Sequence, residues 1–213
     1  PERKLIDNIV LSNVLTNSFG FGGNDSSIVF SSTKNYSLAD NKTSKLKKAV
    51  YINGMGCVSP QDTIGGKLIN YTPPNSGSNF LQILKPNYRE YINPKLLRRM
   101  SKIVRMGIIS SGIALKEADI TKPDAIITGT GMGCMEDTEK FLNAMIVNDE
   151  ELLTPTAFIQ STHNTIGGAI ALSLNNHSYN LTYVHRTFSF ESALLDSMIM
   201  INENKAENVL VDG

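Results

Sequence analysis

Four short apolar runs, separated by stretches with helical spacing, constrain this chain more than any other feature. Ala49-Val50-Tyr51-Ile52, Ala125-Ile126-Ile127-Thr128-Gly129, Asn180-Leu181-Thr182-Tyr183-Val184 and Asn208-Val209-Leu210-Val211 are too short for amphipathic helices and too continuously apolar for strands with one wet face. Such runs read as strands buried on both sides. Between them the apolar period changes. Leu96, Leu97, Met100, Ile103, Val104, Gly107, Ile108, Ser111 and Leu115 predict one helix from about Pro94 to Ala118, with Asn93 as its N-cap and Pro94 in its first turn. Further helices are expected over 136–147, 162–174 and 191–202. Strands alternating with helices predict an α/β fold with a mostly parallel, covered sheet.

The first 48 residues read differently. Ile9-Val10-Leu11 and Ser27-Ile28-Val29-Phe30 flank a Gly/Asn-rich turn at 17–24, which predicts a strand pair with a shaped loop. Residues 31–48 are polar, lysine-rich and aperiodic, a linker composition. Residues 60–80, with Pro73-Pro74 and many Gly, Asn and Ser, read as a loop or lid.

Composition excludes several classes. The 213 residues carry 20 basic and 20 acidic side chains, so the basic footprint of a general nucleic-acid or anionic-membrane binder is missing. No run approaches the length of a membrane helix, and nothing at the start resembles a signal peptide. Cys57 and Cys134 form no CxxC pair, which argues against a cysteine zinc site or a disulfide framework and for a reducing cytoplasm.

Spacing alone marks few chemical groups. Gly129-Thr130-Gly131-Met132-Gly133 follows a strand but lacks the third glycine of a dinucleotide fingerprint, so a tight strand-to-loop turn is the expected role. His163, His177 and His185 lack metal-ligand spacing; no metal or cofactor is expected. His163, near a helix start, suits a cap or a polar contact. His185-Arg186 lies at a strand's end, where α/β sheets present working residues, and a hydrogen-bonded polar pair fits equally. Ser189, in Thr187-Phe188-Ser189-Phe190-Glu191, sits where a nucleophile elbow would fall, but its phenylalanine flanks are too large for the sharp turn, and an N-cap role is expected. Each cysteine reads as a small buried hydrophobe.

Three segments together resemble the thiolase-fold β-ketoacyl synthase family. Residues 49–60 (AVYINGMGCVSP) resemble its opening strand and turn, 125–133 (AIITGTGMG) its second strand and glycine turn, and 155–213 the stretch through the active-site elbow to a Gly-ended strand. The resemblance implies a layered αβαβα domain over 49–213, of which the family's C-terminal half, with its two active-site histidines, is absent. The family's nucleophilic cysteine falls on Phe188, and a phenyl ring cannot take up an acyl group. The resemblance is therefore to the cysteine-less, chain-length-factor-like subclass of aryl-polyene or flexirubin-type pathways, whose members pair with an active ketosynthase. It implies a non-catalytic subunit in bacterial polyketide or fatty-acid-type biosynthesis, acting on acyl chains carried by an acyl carrier protein, with the helix after Glu136 lining a dimer groove.

Leu15 to Phe30 resembles the end of a ketosynthase, in which a loop like Phe19-Gly20-Phe21-Gly22-Gly23 covers the active site and Phe21 matches the acyl gate. This implies a tail-like segment at 1–31, a linker at 32–48 and a synthase-like domain at 49–213, from a natural fusion or a join of neighbouring pieces. Arg98, Arg99, Lys102 and Arg105 lie mostly off the apolar stripe of their helix, a solvated face or a docking face for an acidic carrier protein. Two other readings stay open: an acyltransferase using Ser189 or Thr187 with His185, and an inactive fragment that self-associates through uncovered core surface.

Overall fold

The computed structural model describes residues 13–19, 25–31, 48–63, 81–98 and 100–213. The chain divides into two units, Pro1–Lys47 and Lys48–Gly213. In the first, β1 (Asn13–Phe19) and β2 (Asp25–Ser31) form an antiparallel hairpin in register from Asn13↔Ser31 to Phe19↔Asp25. The first strand thus extends through part of the expected turn. The apolar run at 9–11 and the linker at 32–47 lie outside the described residues.

The second unit is a three-layer sandwich. Its elements are α1 (Tyr88–Tyr91), α2 (Pro94–Leu97), α3 (Lys102–Glu117), β3 (Ala125–Gly129), α4 (Met135–Val147), α5 (Pro155–Ser161), α6 (Thr165–Leu174), β4 (Tyr179–Tyr183), α7 (Ser189–Asn202) and β5 (Val209–Asp212). The sheet runs β4-β3-β5 and every pairing is parallel. Strand alternation sorts its side chains onto two faces. Ile126 and Leu210 join Ile108, Ile109, Ile166 and Ile170 of α3 and α6 in one core. Ala125 and Ile127 join Ala193 and Met200 of α7 and Ala206 in the other. Each large aliphatic side chain so buried contributes about 1.5–3 kcal/mol.

Three sequence expectations change. The run at 49–52 is no strand: it pairs with nothing among the described residues, and Tyr51 and Ile52 are exposed. The segment instead lies along α3, close enough that a Cβ on Gly54 would fall 2.1 Å from the Ala114 carbonyl oxygen and one on Gly56 2.0 Å from that of Ser110. Apolar content makes a strand only where a sheet edge receives it. The helix expected from Pro94 to Ala118 is two helices. Asn93 caps α2, its Oδ1 accepting from the Lys95 N–H at 3.0 Å. Ser101 then turns extended (φ −68°, ψ 167°) and α3 begins anew. The apolar period runs through this break because one rotated ψ leaves the spacing of Leu97, Met100 and Val104 on the core untouched. Helices α1 and α5 were not anticipated; α5 starts at the Thr154-Pro155 pair, where Thr154 Oγ1 accepts from the Ala157 N–H.

The face under α3 and α6 also carries a polar row, Thr182–Thr128–Asp212, aligned by the strand register. Asp212 is buried, and burial pushes its carboxyl up from 3.8 to about 6, against the pull of Ser110 and Ser111. Ser110 Oγ donates to Asp212 Oδ1 at 3.2 Å, whereas the Ser111 hydroxyl meets no partner at hydrogen-bond geometry. The raised value means that the folded state holds the proton more tightly than the unfolded chain, so stability is greatest in acid and falls as pH rises from about 4 to about 6. Asp212→Asn is expected to abolish that slope and to stabilise the protein at pH 7–8 by at most about 3 kcal/mol, read from urea unfolding across pH. An unchanged slope would show that Asp212 is not its source.

Candidate functional site

The working end of a parallel sheet is the edge where its strands finish. Here two loops meet: 130–134 after β3, and 184–188 after β4. Gly129 is required at their junction. A Cβ on it would lie 2.6 Å from the backbone carbon and oxygen of Ser189, so the end of β3 touches the start of α7 directly. Thr130 N–H donates to the Tyr183 carbonyl at 2.9 Å, and a Cβ on Gly131 would stand 3.3 Å from the Arg186 carbonyl oxygen. The loop after β3 is thus the tight turn its glycines suggested, and Gly133 adopts φ +67° with the His163 ring packed on it.

The second loop contains a short 3-10 turn, Arg186–Phe188, in which Arg186 is held at φ +54°. A non-glycine residue there stores of order 1 kcal/mol or more of strain. Phe188, at the position where the resemblance puts a nucleophile, is the N-cap residue of α7 and is 69% exposed. Ser189 is therefore not the N-cap but the first helical residue, and it is buried. Its Oγ accepts from the His185 backbone N–H at 2.8 Å and faces the carbonyls of Thr130 and Arg186, also at 2.8 Å, for its own proton. The hydroxyl thereby ties the two loops together. The His185 ring lies elsewhere: Nδ1 is 3.2 Å from Ser192 Oγ, and the ring stands edge-on to Tyr183. Ser189 and His185 are thus joined through backbone, not through imidazole. Thr187 is exposed.

Neither cysteine stands in either place. Cys57 is exposed, whereas Cys134 is the buried N-cap residue of α4. Burial, and secondarily the Asp137 charge, push its thiol up to about 11, so it is a thiol and not a thiolate at neutral pH. Of the loop residues assigned to an acyl gate, Phe19 ends β1, and Gly20, Phe21, Gly22 and Gly23 lie outside the described residues.

A second feature is an open cleft of about 410 Å³ between the α2–α3 break and the start of α4. Arg98, Lys102 and Arg105 line one wall; Arg99 lies outside the described residues. The opposite wall, which the local charge pattern gave no means of finding, brings Glu136, Asp137 and Lys140. Arg105 is oriented by its Nε donating to the Met100 carbonyl at 2.9 Å and by stacking over Tyr88 at 5.7 Å. Lys140 pairs with Glu136 at 2.5 Å; that hydrogen bond and charge, with Lys102 and Arg105 farther off, hold the Glu136 carboxyl below its usual range.

The sequence model for the beta-ketoacyl synthase N-terminal domain matches residues 79–212. The chain belongs to the β-ketoacyl synthase family. The stretch at 49–60 lies before the matched range. Solved ketosynthases share the fold of this family member. A type II PKS acyl-carrier protein in complex with its ketosynthase bound to the hexaketide matches with a TM-score of 0.58 at 17% identity, over 71% of this chain and 47% of that one. A ketosynthase in complex with its chain length factor from Xenorhabdus doucetiae matches with a TM-score of 0.51 at 20% identity, over 66% of this chain and 56% of that one. The ishigamide ketosynthase/chain length factor gives 0.50 at 19% identity, over 56% of this chain and 36% of that one. The family member thus spans 36% to 56% of the length of these chains. These likenesses establish the thiolase-like layered fold. No curated protein matches. Among the described residues no helix is long and apolar enough to cross a membrane.

Ser189→Ala is expected to cost about 1–3 kcal/mol in urea unfolding, because it strands the His185 N–H and parts the two loops. Gly129→Ala should cost at least as much, since its Cβ meets backbone. Wild-type stability in both variants would refute this account of the junction.

Proposed function

We propose that this β-ketoacyl synthase family member is a non-catalytic, chain-length-factor-type subunit that pairs with an active ketosynthase in bacterial polyketide or fatty-acid-type biosynthesis. The observation that carries the reading is Phe188, an exposed phenyl ring at the elbow position, with both of the chain's thiols elsewhere. Two of the similar structures are described as a ketosynthase with a chain length factor, which supports the pairing. The acyltransferase alternative finds less support, since the Ser189 hydroxyl is engaged by backbone and the His185 ring by Ser192. In this reading residues 1–31 are a synthase-tail-like segment, 32–48 a linker and 49–213 the synthase-like domain.

The carrier partner would dock at the cleft walled by Arg98, Lys102 and Arg105, where acidic side chains find Arg105 already oriented. A similar structure described as a ketosynthase with its acyl-carrier protein supports this choice of partner.

Co-expression with a cysteine-bearing ketosynthase encoded beside it is expected to yield a stable complex on size exclusion. After incubation with an acyl thioester, intact-mass spectrometry should find the acyl group on the partner's cysteine and none on this chain. Absence of any complex would overturn the pairing. Acylation of this chain, lost in Ser189→Ala or Thr187→Ala, would establish the acyltransferase instead. Lys102→Glu should weaken carrier binding roughly tenfold at low salt and less at high salt; a salt-independent loss would place docking elsewhere.

A further inference from the structure

A strap at 48–56 joins the two helical layers of the larger unit. At one end the Lys48 N–H donates to Asn202 Oδ1, in the last turn of α7, at 2.9 Å. At the other end the Met55 N–H donates to Glu117 Oε2, at the end of α3, at 2.8 Å, and Gly54 and Gly56 pack on the α3 backbone. Helices α7 and α3 cover opposite faces of the sheet, so the strap ties one layer to the other. Between its anchors the strap has no regular structure, and Tyr51, Ile52 and Asn53 are exposed.

Asn53-Gly54 is the one Asn-Gly pair in the sequence. Glycine has no side chain to hinder attack by its own backbone nitrogen. Among the described residues neither the Asn53 carboxamide nor the Gly54 N–H takes part in a hydrogen bond, so electrophile and nucleophile are adjacent and both are unengaged. We propose that Asn53 is a site of spontaneous deamidation that unlatches the strap from α3. The Gly54 nitrogen attacks Asn53 Cγ, a C–N bond forms to close a cyclic imide, the Cγ–Nδ2 bond breaks, and ammonia leaves with the amide proton. Water then opens the imide at either carbonyl to give aspartate or isoaspartate; nothing is oxidised or reduced. Isoaspartate adds a methylene to the main chain just before Gly54, where the packing has no slack: a Cβ there would already fall 2.1 Å from the Ala114 carbonyl oxygen. Either product also sets a carboxylate two residues from Met55, whose N–H holds the Glu117 carboxylate, and the like charges repel. The chain thus carries a clock whose expiry frees the strap.

The test ages the full chain at mildly alkaline pH, which favours loss of the amide proton. Peptide mapping by mass spectrometry should find the amide-to-acid mass gain at Asn53 at least about tenfold faster than at Asn148 or Asn204, exposed asparagines followed by larger residues. In the deamidated protein the Met55 N–H should exchange with solvent deuterium about tenfold faster than in fresh protein. Asn53→Ser, aged in the same way, should show neither the mass gain at that position nor the faster exchange. Deamidation at Asn53 no faster than at Asn148, unchanged Met55 exchange in the deamidated protein, or equal loosening of aged Asn53→Ser would overturn the proposal.

Discussion

Every part of the larger unit depends on β3 being dry on both sides. Its five residues are buried, and it pairs in parallel with β4 and with β5. Helices α3 and α6 cover one face through Ile126, and α7 covers the other through Ala125 and Ile127. A strand enclosed in this way cannot end in solvent-facing side chains, so it ends on Gly129, and the backbone of α7 is able to close against it. The placement of Phe188 and Ser189 follows from that contact. The site is set by where a helix start can touch a strand end.

The elements that were legible in the sequence are those whose signal is continuous along the chain. The boundaries of β3 match the apolar run that marked it, β4 and β5 shift by one residue, and α4, α6 and α7 begin within a few residues of expectation. What failed to show depends on single torsions or on distant partners. The rotation at Ser101 breaks a helix without disturbing its stripe. Ala49–Ile52 has strand composition but lies on α3. At the site, the strand-to-helix junction was legible in the sequence but the cap was misassigned by one residue, since Phe188, the last residue of the 3-10 turn, caps α7 and Ser189 is already helical. Arg98, Lys102 and Arg105 were visible as charges off a stripe; Asp137 and Lys140, which complete the cleft, belong to another helix and had no local sign.

The two cysteines show how place governs chemistry more than presence does. Cys134 is near the working edge, yet burial keeps its proton on. Cys57 is exposed but lies in the segment along α3, far in sequence from the elbow. A fold can thus retain a reactive residue type and still have no thiol where the strand ends converge, with Phe188 exposed there instead.

The buried row Thr182–Thr128–Asp212 has a consequence for how the sheet finds its alignment. Aliphatic strands bounded by helices on both faces give little reason to prefer one offset over the next. Here a slip of β5 by one residue would carry Asp212 across to the face of Ala193 and Met200, away from Ser110. The penalty of a carboxyl held at one point thus penalises every misaligned pairing more heavily than the aligned one. An energetically awkward side chain in this way acts as the sheet's index mark during assembly.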